Sequence, residues 1–343
     1  MTEIQRMVLR RLRNALITIF GIIVLNFFLI NVMGDPLTLI GHSPRTSPDV
    51  TDNTCLRLGL CARDINGKVY ELDLFQRFLA YMKDFFTGNM GTSFHWQNTA
   101  VLDVIGPALS WTFLLIGTST VITILIGMVL GALSAQHRGK PLDLATTGFS
   151  LFFYGMPFFW LALMMQLSFT KPEFNLHWWP VFPSSQEYDF SIAIFDWTNP
   201  SNIASALYHL ILPAATLALG TVAGVSLVMR NSLIDVMTED YVVTARAKGL
   251  AERIILRRHV LPNGLPPMVT LIALDMAFIF GGAYQVEYVF SYRGIGWVTI
   301  EAINNYDFPV LQFVVVIGGI AVVIANFLAD LILIKIDPRI KVA

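Results

Sequence analysis

Apolar residues in this chain collect into runs long enough to cross a bilayer, and polar residues are confined to the gaps between them. Runs of roughly 20 residues, the length that spans a hydrocarbon core, cover positions 12–32, 111–133, 144–169, 208–229, 268–289 and 310–334. The pattern predicts an all-α integral membrane protein with six transmembrane helices and both termini on one side. In the first gap Leu74, Phe75, Phe78, Leu79, Met82 and Phe85 recur at helical spacing, predicting an amphipathic helix packed on the body and ended by Gly88 and Gly91. That gap is too long for a bare connection, so a folded extracytoplasmic insertion between helices one and two is expected over 35–110, entered through the turn-rich Gly34, Asp35 and Pro36. The remaining units are 1–34, the N-terminus and first helix; 111–335, helices two to six with an inner loop at 230–265; and 336–343, a tail.

One gap is patterned differently. Thr238 is placed to cap a helix whose first turn carries Glu239 and Asp240, whose last turn carries Arg246 and Lys248, and which Gly249 stops. A second helix runs from about Ala251, carries Arg253, Arg257 and Arg258, and is expected to end near Leu261, before Pro262, Pro266 and Pro267. Leu233, Met237 and Tyr241, four apart, form an apolar face that can fill a groove. The competing reading lays these helices on the inner membrane surface, their arginines against anionic lipid.

Composition agrees with the pattern. The chain is 55% hydrophobic and 14% charged, with a mean hydropathy of +0.61, values of a membrane protein. Charge then orients it. Arg6, Arg10, Arg11, Arg13, Arg138, Lys140, Arg230, Arg246, Lys248, Arg253, Arg257, Arg258, Lys335, Arg339 and Lys341 fall in the proposed inner segments. Most outer cations, from Arg45 to Lys83, share the one long segment in which the positive-inside rule has least force. Both termini are therefore expected in the cytoplasm, the first run being a retained signal anchor. The net charge of -1 hides this asymmetry and carries no sign of nucleic-acid binding.

Candidate chemistry is sparse. Cys55 and Cys61 lie in the outer insertion, where a disulfide closing a small loop is one reading and two reduced thiols the other. No G-x-x-x-x-G-K-[ST] loop is present, so any ATP hydrolysis belongs to another subunit, and no zinc or G-x-S-x-G signature supports an enzyme. Asp275, Glu287 and Asp330 are carboxylates within or near spans, each costly unless it faces protein or water. Asp330 has Lys335 near it and a structural role; Glu287 and Asp275 are candidates for the translocation path or its gate. Gly281 and Gly282, just before Glu287, allow close packing or a local break. Trp178 and Trp179 mark an interfacial belt.

The polar loop also carries a resemblance. Ala245, Gly249, Leu261 and Pro262 stand at the Ala, Gly and Leu-Pro places of the E-A-A-x3-G-x9-I-x-L-P loop of permease subunits in binding-protein-dependent ABC importers, with Val243, Thr244 and His259 departing from it. The string Asp240-Tyr241-Val242-Val243-Thr244-Ala245-Arg246-Ala247-Lys248-Gly249 looks like the variant of the dipeptide, oligopeptide and nickel permeases. Gly34-Asp35-Pro36, Pro157-Phe158-Phe159-Trp160, His209-Leu210-Ile211-Leu212-Pro213, Glu287-Tyr288-Val289-Phe290-Ser291 and Ile336-Asp337-Pro338-Arg339 resemble the same subfamily, and the long first outer segment is similar to its B-type subunit.

The resemblance implies the type I importer permease fold in the inner membrane of a prokaryotic cell. It also implies a heterodimer with a homologous C-type permease, two ABC ATPase subunits that bind ATP and Mg, and an extracytoplasmic solute-binding protein. This chain would bind no cofactor of its own. Met237, Asp240, Tyr241, Ala245, Lys248, Gly249, Leu261 and Pro262 would form the ATPase-coupling loop. The cargo is then a di- or oligopeptide, with nickel chelates, opines or oligosaccharides as family alternatives. A secondary transporter or channel is the rival class, but the paired intramembrane charges and repeats it needs are not evident; a membrane scaffold without transport of its own is the third. Topology is directly testable. A reporter fused after Ala343 and a cysteine probe at Lys140 should read cytoplasmic, and a probe at Asp189 external; an external C-terminus would overturn the six-span arrangement.

Overall fold

The computed structural model describes residues 3–32, 52–53, 55–56, 60–64, 67–96, 99–170, 181–268, 271 and 283–336. Three helices among them are long and apolar enough to cross a membrane. These are α1 (Glu3–Val32), α3 (Val101–Gln136) and α6 (Pro200–Met237). Between α1 and α3 lie β1 (Cys61–Arg63), β2 (Val69–Glu71) and α2 (Leu74–Thr87). Most of the fifth run, with Asp275, Gly281 and Gly282, falls outside the described residues, as do Gly34-Asp35-Pro36, Trp178 and Trp179. The sixth run is α12 (Phe308–Ile336), in which the expected pairing of Asp330 with Lys335 lies outside the described side chains.

The third run is not one straight span. It divides into α4 (Pro141–Tyr154) and α5 (Phe158–Thr170), bent by 101°. Pro157 lacks an N–H and its ring crowds the carbonyl four residues back, so the α-helical ladder cannot pass. The last turn tightens instead, Met156 N–H donating to Phe153 O at 3.1 Å, and α5 restarts with Leu161 N–H on Pro157 O at 3.0 Å.

The expected insertion helix is α2. Asp73 and Gln76 form a reciprocal capping box at its start, and Gly88, at φ 74°, closes it. Phe78 and Tyr81 meet Phe27 of α1 at ring-centroid distances of 5.2 and 5.5 Å. The apolar stripe is wider than this contact: Leu74, Phe75 and Leu79 remain exposed. Cys55 and Cys61 are joined, their Cα atoms 5.3 Å apart, and Cys61 opens the antiparallel β1–β2 ribbon.

At the centre α3 and α6 share the most extensive contact in the molecule. Gly127 and Gly131, one turn apart, bring the backbones together. A Cβ at Gly127 would lie 2.6 Å from Val225 Cγ1, and one at Gly131 only 2.5 Å from the Ser226 carbonyl oxygen. Hydroxyls of Thr123 and Thr221 bond across the same interface at 2.7 Å. Small residues with interhelical hydroxyl bonds replace the hydrophobic effect where lipid is as apolar as the side chains. We expect Gly131→Ala to lower stability by about 1–3 kcal/mol through overpacking, whereas Gly224→Ala, on the same helix pair but with nothing within 4 Å of its added Cβ, should be silent. Thermal unfolding of the two variants in detergent checks this, and equal midpoints would remove the close-contact argument.

Candidate functional site

The polar gap begins where α6 ends, one residue later than the capping signals imply. No breaker stands between Arg230 and Met237, so α6 continues through Met237, and Thr238 closes it, with N–H and hydroxyl both donating to Asp235 O at 3.1 and 2.7 Å. The N-cap of the next helix, α7 (Asp240–Ala247), is therefore Glu239, which supplies no side-chain cap. Gly249 then adopts φ 76°, the left-handed conformation that glycine enters without strain. Its N–H donates to Arg246 O at 2.9 Å. Arg246 Nε pairs with Glu252 Oε1 at 2.7 Å across the turn, an exposed contact of small energetic weight.

Beyond it the chain runs through α8 (Glu252–Ile255), a π-helical turn (Leu256–Val260) and α9 (Leu261–Gly264). The expected stop before Pro262 does not occur. The wider π turn lets Leu261 N–H reach Leu256 O and accommodates the proline within the first residues of α9. The element closes on itself at the base: Ser232 Oγ donates to the Gly264 carbonyl at 2.9 Å, and Gly264 is pressed against Leu233.

Two faces result. Val242, Ala245, Ile255 and Val260 pack inward on Val225, Met229 and Leu233, with Met237 and Leu261 half-buried beside them. Tyr241, Val243, Leu250 and Ile254 project outward as exposed apolar side chains, among exposed Asp240, Arg246, Lys248, Arg253, Arg257, Arg258 and Pro262. The expected single face of Leu233, Met237 and Tyr241 is thus divided, because the chain turns at Thr238 between them. Leu233 is buried, whereas Tyr241 is 43% exposed.

Behind this element lies a carboxylate that the sequence pattern did not single out. Asp143, 3% exposed at the start of α4, receives Arg230 Nε at 2.7 Å and Nη2 at 2.8 Å, together with the Ser134 hydroxyl and Gly139 N–H at 2.8 Å. It joins the end of α3 and the start of α4 to α6.

A second carboxylate, Glu287, was singled out, and its surroundings are now explicit. It sits in α10 (Tyr284–Val289) with no exposed surface. Thr112 Oγ1 donates to it at 2.8 Å, and the N–H groups of Gly296 and Trp297 at 2.7 and 3.1 Å. These N–H groups open α11 (Ile295–Asn304), whose N-cap position, Gly294, has no side chain to offer. Glu287 thus caps α11 from a distance.

The opposite end of α3 is aromatic. Trp111 meets Tyr188, Phe195, Trp197 and Tyr292 at 4.9–6.1 Å between ring centroids. Burial pushes the carboxyl of neighbouring Glu187 up from its ordinary range, opposed by its own backbone N–H and the charge of Arg293. Among the described residues no group of three or more His, Cys, Asp or Glu side chains is arranged to hold a metal ion.

Comparisons agree with this architecture. The family model for a binding-protein-dependent transport system inner membrane component matches residues 127–342. An oligopeptide transport system permease protein of Bacillus subtilis is 30% identical over 335 residues, covering 97% of this chain and 98% of the relative. A dipeptide transport system permease protein of Alkalihalophilus pseudofirmus is 32% identical over 347 aligned positions, with the same coverage. In fold, the chain is similar to a solved chain of the MetNI methionine ABC transporter in an inward-facing conformation, with a TM-score of 0.52 at 19% identity, covering 67% of this chain and 95% of that one.

The Glu287 node makes a stability prediction. Glu287→Ala removes the acceptor for two backbone N–H groups and one hydroxyl in a buried site, and should cost about 3 kcal/mol or more. Glu287→Gln, which keeps one acceptor oxygen, should cost less. Thermal unfolding of the detergent-purified protein should rank parent, Gln, Ala; an unchanged midpoint for Ala would contradict the capping role.

Proposed function

The chain belongs to the binding-protein-dependent transport system inner membrane component family, and on that premise we propose that it is the B-type permease subunit of an ATP-driven ABC importer for di- or oligopeptides. The family makes it a membrane component of a transport system. Peptide cargo is supported by the relatives' oligopeptide and dipeptide systems, which align with nearly the whole chain. Under this reading the chain catalyses nothing. It pairs with a homologous C-type permease, receives its cargo from an extracytoplasmic binding protein, and takes its motion from two ATPase subunits that bind ATP and Mg. Both termini and the element of residues 238–264 face the cytoplasm, as the charge distribution supports.

One observation carries the docking assignment: the α7–Gly249–α8 element is anchored on its inner face and bare on its outer. Val242 and Ala245 tie it to the membrane body, while Tyr241 and Val243 stand clear of this chain with charges around them. An amphipathic helix resting on lipid would bury its apolar side chains in the acyl boundary and leave its charges to water. Here the inner apolar residues are already covered by protein. The outer apolar residues are few, short in reach and ringed by both signs of charge, a surface suited to a groove in a partner. Asp240, Lys248 and Pro262 lie on the exposed side of the same element, and Met237, Ala245 and Leu261 support it from within.

Reconstitution with the partner permease, both ATPase subunits and the loaded binding protein tests the assignment. Tyr241→Asp combined with Val243→Asp should leave the chain in the membrane, weaken its hold on the ATPase subunits and abolish binding-protein-stimulated hydrolysis and uptake. Gly249→Val should act likewise. No atom lies within 4 Å of a Cβ added there, so its effect is conformational, on the order of 1 kcal/mol or more for the left-handed backbone. Normal stimulated hydrolysis and uptake in both variants would pass the role of this loop to the lipid-surface reading. Failure of a peptide-loaded binding protein to stimulate, where a nickel-chelate- or oligosaccharide-loaded one succeeds, would correct the cargo alone.

A further inference from the structure

Helix α4 is fastened strongly at one end and weakly along the rest of its length. Its buried residues are Asp143, Thr146 and Ser150, all polar and all on the face turned to the bundle. At the inner end Asp143 is held by both arms of the Arg230 guanidinium, by Ser134 and by Gly139 N–H. Further along, the hydroxyl of Thr146 bonds back to its own helix at Leu142 O, 2.9 Å away. The Ser150 hydroxyl is buried without a hydrogen-bond partner among the described residues. Beyond Tyr154 the helix ends at Gly155, Met156 and Pro157, where α5 leaves at 101°. A rod clamped at its first turn, in smooth contact along its side and jointed at its far end, has the mechanical form of a lever.

The clamp sits on the part of α6 that runs into the exposed element. Arg230 precedes the end of α6 at Met237 by about two helical turns, and the Ser232–Gly264 bond gathers the base of the element onto the same stretch. A two-armed guanidinium–carboxylate contact fixes angle as well as distance. A tilt of the inner end of α6 is therefore passed to α4 at this point, and to α5 across the joint.

We infer that the Asp143–Arg230 pair is the transmission point through which motion received by the α7–α8 element moves α4 and, beyond the 155–157 joint, α5. Both are positioning residues: they touch neither cargo nor nucleotide. The inference rests on the docking reading above and extends it by stating where the motion goes next. A buried ion pair is weak evidence for stability, because desolvation offsets its attraction. A merely structural pair would also not require that the rest of the α4 face be left to hydroxyls that can slide.

The test uses the full reconstituted importer with Arg230→Gln, Arg230→Lys and Asp143→Asn, and the double variant Asp143→Asn with Arg230→Gln. For each, the retained ATPase subunits, the thermal midpoint, binding-protein-stimulated hydrolysis and uptake are measured per assembled complex. We expect Arg230→Gln and Asp143→Asn to keep the ATPase subunits yet lose stimulated hydrolysis and uptake by about tenfold, a coupling change of ordinary size. Arg230→Lys should recover part of the loss, and the double variant should be no worse than either single one, as befits one shared interaction. Uptake per assembled complex within twofold of the parent, whatever the midpoint does, would overturn the inference, since the pair would then be structural only. Additive losses in the double variant would overturn it as well. Failure of the docking reading has a different signature: complexes carrying the Tyr241 and Val243 substitutions would keep stimulated hydrolysis, whereas failure here leaves those complexes silent and the Arg230→Gln complexes active.

Discussion

The contact on which the rest of the molecule depends is the approach of α3 and α6 at Gly127 and Gly131. Without Cβ atoms at these positions the two long helices come close enough for backbone to meet side chain, and dispersion between them replaces a hydrophobic drive that lipid cannot supply. Three things hang from that pair. At one end it carries Ser134 and Arg230, which receive α4 through Asp143. The end of α6 carries the exposed element, whose buried residues pack on Val225, Met229 and Leu233. Toward the other end, Thr112 of α3 reaches Glu287 and the start of α11. Movement of one site relative to another must be expressed as a change around this rigid core.

Both buried carboxylates hold backbone N–H groups near a helix start, in different ways. Lys140 and Gly294, at the N-caps of α4 and α11, provide no side-chain cap. Asp143 reaches back to the N–H of Gly139, an exposed residue ahead of the N-cap, whereas Glu287 crosses from a neighbouring helix to Gly296 and Trp297 inside the first turn of α11. Free N–H groups in a helix's first turn are intolerable away from water, so Glu287 supplies the missing cap, and each carboxylate also meets the positive end of a helix dipole. An acidic residue in an apolar run therefore has two meanings, a path for charge or a fastening for backbone, and only the position of its donors separates them.

That distinction explains what was legible in the sequence. Runs of apolar residues located α1, α3, α6 and α12, and the left-handed turn at Gly249 followed from glycine chemistry next to a signed helix end. Glu287 stood out because it was an acid in an apolar run, but its partner Thr112 is 175 positions away. Asp143 was not singled out, since its partner Arg230 is 87 positions distant. Thr238 misled for a local reason: it is the better N-cap residue, but α6 did not stop in time to leave it that position. Pro157 was visible, and its consequence was hidden by the unbroken hydrophobicity on either side. In a membrane segment apolarity reports the surroundings and says little about the course of the backbone.

The bond between Ser232 and the Gly264 carbonyl turns the intervening chain into a hoop closed at its neck. A hoop stapled this way separates two demands. Its neck and inner lining, Leu233, Val242, Ala245, Ile255 and Val260, answer to the membrane body; its crown, Tyr241, Val243, Leu250 and Ile254, answers only to whatever seats against it. Substitutions on the crown leave the neck undisturbed, so the surface can drift in step with a changing partner while the frame beneath keeps its shape. On the docking reading, the part of the chain that meets its partner is an exchangeable fitting, and that partner can change without redrawing the frame beneath.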